Sequence, residues 1–302
     1  MKALISAALF ILICFGSLYA EEDEINASLD WEKMSIKVSI KSKLQGNNLR
    51  SPNQRIIAEE TLALQYLEVI RPFILSLQVD SSSKIKDMIE RAALPSSIVD
   101  DFAASVKKLS PYYTADFKSI SSTYTIDLNE IGKQLYTKNQ NIEMTKPLNK
   151  EGGVSYSGII IMADVPLPVH GKHTSVNIVP SIFPKIWDSE MNLIFDRNMS
   201  LLNKEGGSAF YVHYSSVDKV FLKTPSGIDK ELEKIVGSKP LRIIASELFG
   251  ITPTDIVIDQ SDAIQILSSD ANRKLLQDGR IAIIVRSTDL SSNLMELSQN
   301  PR

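Results

Sequence analysis

The hydrophobic period changes from segment to segment along the chain. Met34, Ile36, Val38 and Ile40 alternate with Ser35, Lys37, Ser39 and Lys41, so residues 31–44 predict a strand with one buried and one wet face. Lysines on the wet face keep such a strand soluble. After a turn cluster at 45–48, Ser51-Pro52 opens a helix, because proline at a first-turn position gives up no hydrogen bond. Ile56, Ala63, Leu67, Ile70 and Ile74 recur at helical spacing and predict the stripe that packs on a sheet, while Pro72 predicts a kink or an end near Arg71. Residues 80–83 break the chain before a short helix carrying Ile85, Met88 and Ile89. Pro95-Ser96-Ser97 starts another, with Ile98, Phe102, Val106 and Leu109 on one side. Residues 112–120 and 123–128 read as strands.

Residues 137–153 are polar, hold a Pro and a Gly pair, and form the best linker candidate. Beyond them strands dominate: 157–165 as a central strand, then 176–187, 191–195, 209–214 and 219–223. Residues 228–236 predict a helix stopped by Gly237, 241–247 a strand, and 261–268 and 272–277 two short helices. Residues 280–286 (RIAIIVR) predict a buried closing strand. The fold class implied is α+β in two modules. The first, 27–145, is a strand, a helical block and strands; the second, 154–290, is strand-rich with a few short helices; a tail of 291–302 follows without strong pattern.

The first twenty residues have the form of a secretory signal: Lys2, an apolar run over 3–15, and a small-residue exit ending at Ala20, where cleavage is expected. That run is short for a bilayer crossing, which takes about 20 apolar residues. Cys14, the only cysteine, follows Ile13 rather than a small residue and goes with the signal, so the mature chain has no thiol nucleophile, disulfide or cysteine-ligated metal. Loss of Lys2 leaves 32 basic against 36 acidic residues, which argues against nucleic acid as partner. No later segment is long and charge-free enough to cross a membrane, so a periplasmic product, free or peripherally attached to the envelope, is expected.

Four stretches of the second half form a pattern: the apolar strand from Gly158 to Ile161, the Pro-punctuated segment from Pro180 to Asp188, Thr254 to Ile258 with Asp262-Ala263, and Gly279 to Val285. The first half agrees in outline through Arg55-x-x-Ala58 and Val79-Asp80-Ser81. This pattern resembles the FlgT/FlgP-like group of exported proteins around the flagellar basal body and envelope, with related small lipoproteins. The lipobox seen in some relatives is absent. The resemblance implies a non-enzymatic component that works by protein contacts.

Candidate chemistry is sparse. His170 and His173 flank Gly171-Lys172 in a loop able to approach Asp164, and two imidazoles with a carboxylate are a possible metal set, although the spacing matches no zinc signature and an ordinary surface loop is the simpler reading. Asp188, Glu190 and Asp196 flank one strand, and Asp255, Asp259 and Asp262 surround a turn into a helix; paired carboxylates serve acid–base chemistry, but also caps and turns. No G-x-S-x-G, phosphate-cradling glycine loop or cofactor fingerprint occurs, and Glu205-Gly206-Gly207-Ser208 reads as a hairpin turn. Trp31, Tyr112, Tyr113, Trp187, Phe210 and Tyr211 are the aromatics available for stacking on sugars or for packing. The expectation is therefore an exported scaffolding protein with envelope or flagellar partners and no catalytic residue or cofactor. The alternative is a periplasmic glycan- or peptidoglycan-binding module, and an acid-based hydrolase comes third.

Overall fold

The computed structural model describes residues 24–43, 49, 51–135, 154–199 and 212–293. The signal segment with Cys14, the turn at 45–48, the linker at 137–153, the glycine pair at 206–207, Phe210, Tyr211 and residues 294–302 lie outside them. The architecture is mixed α+β in two modules.

In the first module, β1 (Glu24–Asp30) and β2 (Ser35–Lys43) pair antiparallel from Glu24↔Lys41 to Asp30↔Ser35. What looks like an acidic leader in sequence thus contains a strand, with Ala27 and Leu29 turned into the core and Glu24 and Asn26 exposed. The strand expected from residue 31 starts only at Ser35. Asp30 accepts from the Lys33 main-chain N–H at 2.9 Å and Met34 takes a φ of 48°, closing a turn over 31–34. From there the alternation holds: Ile36, Val38 and Ile40 are buried and Lys37 and Lys41 exposed.

α1 (Pro52–Ser76) does not end near Arg71 but continues past Pro72. Pro72 is exposed, and burial of Phe73, Ile74 and Leu77 just beyond it offsets the missing backbone bond. The buried face is Ala58, Leu62, Tyr66, Ile70, Phe73 and Ile74, so of the expected stripe Ile70 and Ile74 face the core and Ile56 and Leu67 face outward. Apolar residues occur all round this helix, and spacing alone cannot select its inner face. Tertiary contact selects it: Tyr66 stacks on Tyr124 with ring centroids 4.4 Å apart.

β3 (Gln78–Asp80), β4 (Ser83–Lys84), α2 (Ile85–Glu90) and α3 (Ile98–Ala104) follow. Leu109 is exposed past the end of α3, with its main-chain N–H bonded to Thr123 O. β5 (Lys107–Lys108) and β6 (Tyr112–Tyr113) both pair with β7 (Ser119–Asp127), which lies against β2 along its whole length. α4 (Leu128–Leu135), which the strand pattern misses, buries Leu128, Ile131 and Leu135.

The second module opens with β8 (Ile159–Met162), β9 (Leu167–Pro168), β10 (Ser175–Val176), β11 (Ile186–Asp188), β12 (Leu193–Phe195) and β13 (His213–Ser216). The strand expected over 176–187 is split between β10 and β11, because Pro180 and Pro184 cannot donate to a ladder. Residues 219–223 do not form the expected strand: a single 3-10 turn (Val217–Lys219) and an irregular stretch stand there, with Phe221 exposed. α5 (Lys230–Val236), capped by Asp229 and ended by Gly237 at φ 72°, leads to β14 (Leu241–Ile244), β15 (Glu247–Phe249) and β16 (Asp255–Ile258). α6 (Gln260–Leu267), α7 (Asp270–Gln277), β17 (Ile281–Val285), α8 (Ser287–Leu290) and β18 (Ser291–Asn293) complete the described chain.

β13, β17, β8 and β14 form a four-stranded sheet in that order, parallel throughout. Every residue of β17 is buried, as a central parallel strand requires. β12, β11, β16 and β15 form a second, mixed sheet. β18, in the segment read as a patternless tail, crosses to the first module and pairs antiparallel with β1 through Ser28↔Asn293, Leu29↔Ser292 and Asp30↔Ser291.

Candidate functional site

The two modules share one continuous apolar core, so the seam between them is a built feature rather than a loose contact. Main-chain hydrogen bonds cross it at Trp31 N to Leu290 O, Ile182 N to Gln78 O, Phe183 N to Val79 O and Thr252 N to Ser81 O, all between 2.8 and 3.1 Å. The Trp31 ring meets Tyr214 edge-on at 5.8 Å between centroids. Glu32, in the turn between β1 and β2, accepts from Ser215 Oγ at 2.9 Å and pairs with Lys219 at 3.0 Å.

At the centre of the seam lies Asp255, fully buried at the start of β16. Its Oδ1 accepts from Lys185 N at 3.2 Å and Thr254 Oγ1 at 3.0 Å, and its Oδ2 from Ser81 Oγ at 3.0 Å and Trp187 Nε1 at 3.3 Å. Burial pushes this carboxyl above its usual range, and the four donors oppose that shift without cancelling it. Four donors on one buried carboxylate leave little room for a substrate, so the arrangement is a polar weld.

Beside the weld the modules leave a cleft of about 410 Å³. One wall is Leu29, Trp31, Ile36, Phe73 and Leu77 of the first module; Val179, Pro180 and Thr252 of the second face it. Lys84 stands at this cleft and makes no ion pair among the described residues. Asp289, also in the lining, has both oxygens engaged by Arg286 at 3.0 Å.

The residues singled out from sequence go to separate places. His170 Nδ1 lies 2.7 Å from Glu247 Oε2, with its ring edge-on to Phe249, on an exposed surface. Neither His173 nor Asp164 joins it in a metal-binding group, and no cluster of three or more potential ligands occurs among the described residues. Asp188 is occupied by its own turn, accepting from Glu190 N, Asn192 N and Asn192 Nδ2. Glu190 is exposed, and Asp196 pairs with Lys185 at 3.4 Å. Asp259 stands at the N-cap of α6, and Asp262 in the first turn is pushed above the usual carboxylate range by burial and then by the Asp259 charge.

Trp31 is buried, and Trp187 is half-buried and packs edge-on to Phe249. Tyr113 bonds Glu59 at 2.5 Å and is pushed up to about 12 by burial and that carboxylate. Tyr112 is 67% exposed. Sequence spacing missed two surfaces, the cleft and the outer face of α1. That outer face carries Ile56, Ile57, Leu64 and Leu67 in the open, Leu64 at 64% exposure. Its signal was present, since a helix with apolar residues on every side has more than one face to cover. No helix among the described residues is long and apolar enough to cross a membrane.

Residues 22–134 match the family described as the N-terminal domain of Treponema pallidum Tp0624, and residues 158–287 match the family of its second domain. The two matches fall in the same order as the two modules and leave the linker between them. No curated protein matches the chain.

Proposed function

We propose that this chain is a non-enzymatic interaction component of the bacterial envelope, exported by its first twenty residues, cleaved after Ala20 and working in the periplasm through protein contacts. The observation that carries this reading is the outer face of α1. Ile57 and Leu64 lie seven residues apart, two helical turns, and Ile56 and Leu67 extend the row, all on the side away from the sheet. Exposed apolar rows of this kind mark contact surfaces. Glu60 and Glu68 border the row, and neither makes an ion pair among the described residues. The partner that fits is a protein with an apolar patch and a basic margin. A flagellar basal-body protein is one such partner, favoured only by the motif resemblance.

A photo-reactive residue at position 64, introduced into the full chain in living cells, tests this. One dominant protein adduct in the envelope fraction, lost on Ile57→Glu, supports the reading. A chain that reaches the envelope yet gives only background labelling overturns it. The glycan-binding alternative keeps Tyr112 as its exposed aromatic, and a pull-down on insoluble cell wall competed by free glycan separates the two.

A further inference from the structure

We infer that the cleft at the seam is a binding site for a single-chain amphiphile with an anionic head group, its chain between the two modules and its head on Lys84. The inference does not rest on the α1 contact reading, because the cleft lies on the inner side of that helix's C-terminal end, at Phe73, Ser76 and Leu77.

Size and place come first. At about 410 Å³ the cleft falls within the ~300–1,000 Å³ typical of small-molecule sites, and such sites favour domain interfaces. Leu29, Trp31, Ile36, Phe73, Leu77 and Val179 are its apolar lining, with Ser76, Gln78, Thr252 and Ser292 as polar neighbours. Val179 is 37% exposed at the second-module wall, so an apolar surface is left open to water just where the modules meet.

Charge selects the head group. Asp289 is neutralised by its paired bonds to Arg286, whereas the Lys84 ammonium makes no ion pair among the described residues. The Lys84 main-chain N–H donates to Asp87 Oδ2 at 2.7 Å, which fixes the backbone, and Lys84 is exposed at the cleft. A second donor is available: the Trp31 indole N–H has no acceptor among the described residues and is not shut away from water, and Trp31 lines the cleft. A hydrated ammonium and an indole N–H beside an apolar slot complement a carboxylate or phosphate on an acyl chain. A cationic amphiphile has no partner there.

The test uses the full chain and three probes below their micellar concentrations: dodecanoate, a dodecanoyl lysophosphatidylglycerol and dodecyltrimethylammonium. Native mass spectrometry reads stoichiometry, and tryptophan emission reads occupancy next to Trp31. Saturable one-to-one binding of either anionic probe supports the site, and the tighter of the two tells a free fatty acid from a phospholipid source. Lys84→Glu at the exposed mouth should weaken binding at least about tenfold, the loss of one charge-assisted hydrogen bond and its charge. Val179→Trp should fill the slot and abolish binding. Equal binding of the cationic probe, unchanged affinity in Lys84→Glu, or the absence of saturable anion binding overturns the inference. Cross-linking from position 64 should be the same in Lys84→Glu as in the parent, so failure here and failure of the α1 reading remain separate results.

Discussion

Ser81 Oγ donates to Asp255 Oδ2 at 3.0 Å across 174 positions of sequence, and with that bond the turn of the first module's small hairpin is tied to the buried start of a strand in the second. The Ser81 carbonyl accepts from Thr252 N at 2.9 Å in the same place. Ser81→Ala should cost about 1 kcal/mol, the usual net worth of one hydrogen bond. Asp255→Ala orphans four donors and should cost about 3 kcal/mol or more. Urea unfolding followed by tryptophan emission checks both. Because the modules share one core, each variant should move a single transition; separation into two would refute the weld.

Asp255 also makes a signed pH prediction. Its carboxyl titrates above the usual range when folded, so the folded state holds that proton more tightly than the unfolded chain does. The Asp255 contribution is therefore greatest at acid pH, below the ordinary value near 3.8, and declines as pH rises through the raised folded value. Asp255→Asn removes the titration. The stability difference between the parent and Asp255→Asn should shrink from acid toward neutral pH, and growth of that difference would contradict the assignment.

His213 runs the other way. It is largely withdrawn from water on β13, and burial lowers its pKa below 6.5. Glu32, Lys33, Lys219, Glu231 and Lys234 line the pocket beside it. The unfolded chain takes up the proton first, so the stability present above about pH 6.5 is lost as pH falls toward the folded value. Thermal melts between pH 7.5 and 5 should show this slope, and His213→Gln should flatten it.

Gly250 lies against Ser81 at the seam. It adopts a φ of 114°, and a Cβ built there would stand 2.3 Å from the Ser81 Cβ and 2.8 Å from the Thr252 carbonyl oxygen. Gly250→Ala thus combines backbone strain with a clash against the Ser81 side chain of the other module and the Thr252 carbonyl of its own, and should destabilise by about 2 kcal/mol or more. A melt within half a degree of the parent would show that the seam can open without cost.

Much of the secondary structure was legible because its cause is local. The alternation of β2, the proline at the start of α1, the cap and glycine stop of α5 and the apolar run of β17 all act within a few residues. β1 was hidden by its acids, which occupy the wet face of a strand whose Ala27 and Leu29 face inward. The rotation of α1 was hidden for the opposite reason, since both its faces are apolar and only tertiary contacts such as the Tyr66–Tyr124 stack distinguish them. The candidate cleft had no sequence signature: its lining comes from both modules, from Leu29 to Ser292.

By itself the sequence determined the α+β class, the two-module order and most strands and helices, because periodicity, caps and proline are properties of neighbouring residues. Tertiary structure alone decided that β18 crosses to β1, that Asp255 is a weld rather than a member of an acid pair, and which apolar faces stay open. Those outcomes depend on contacts between residues far apart along the chain, whose energies no local pattern encodes.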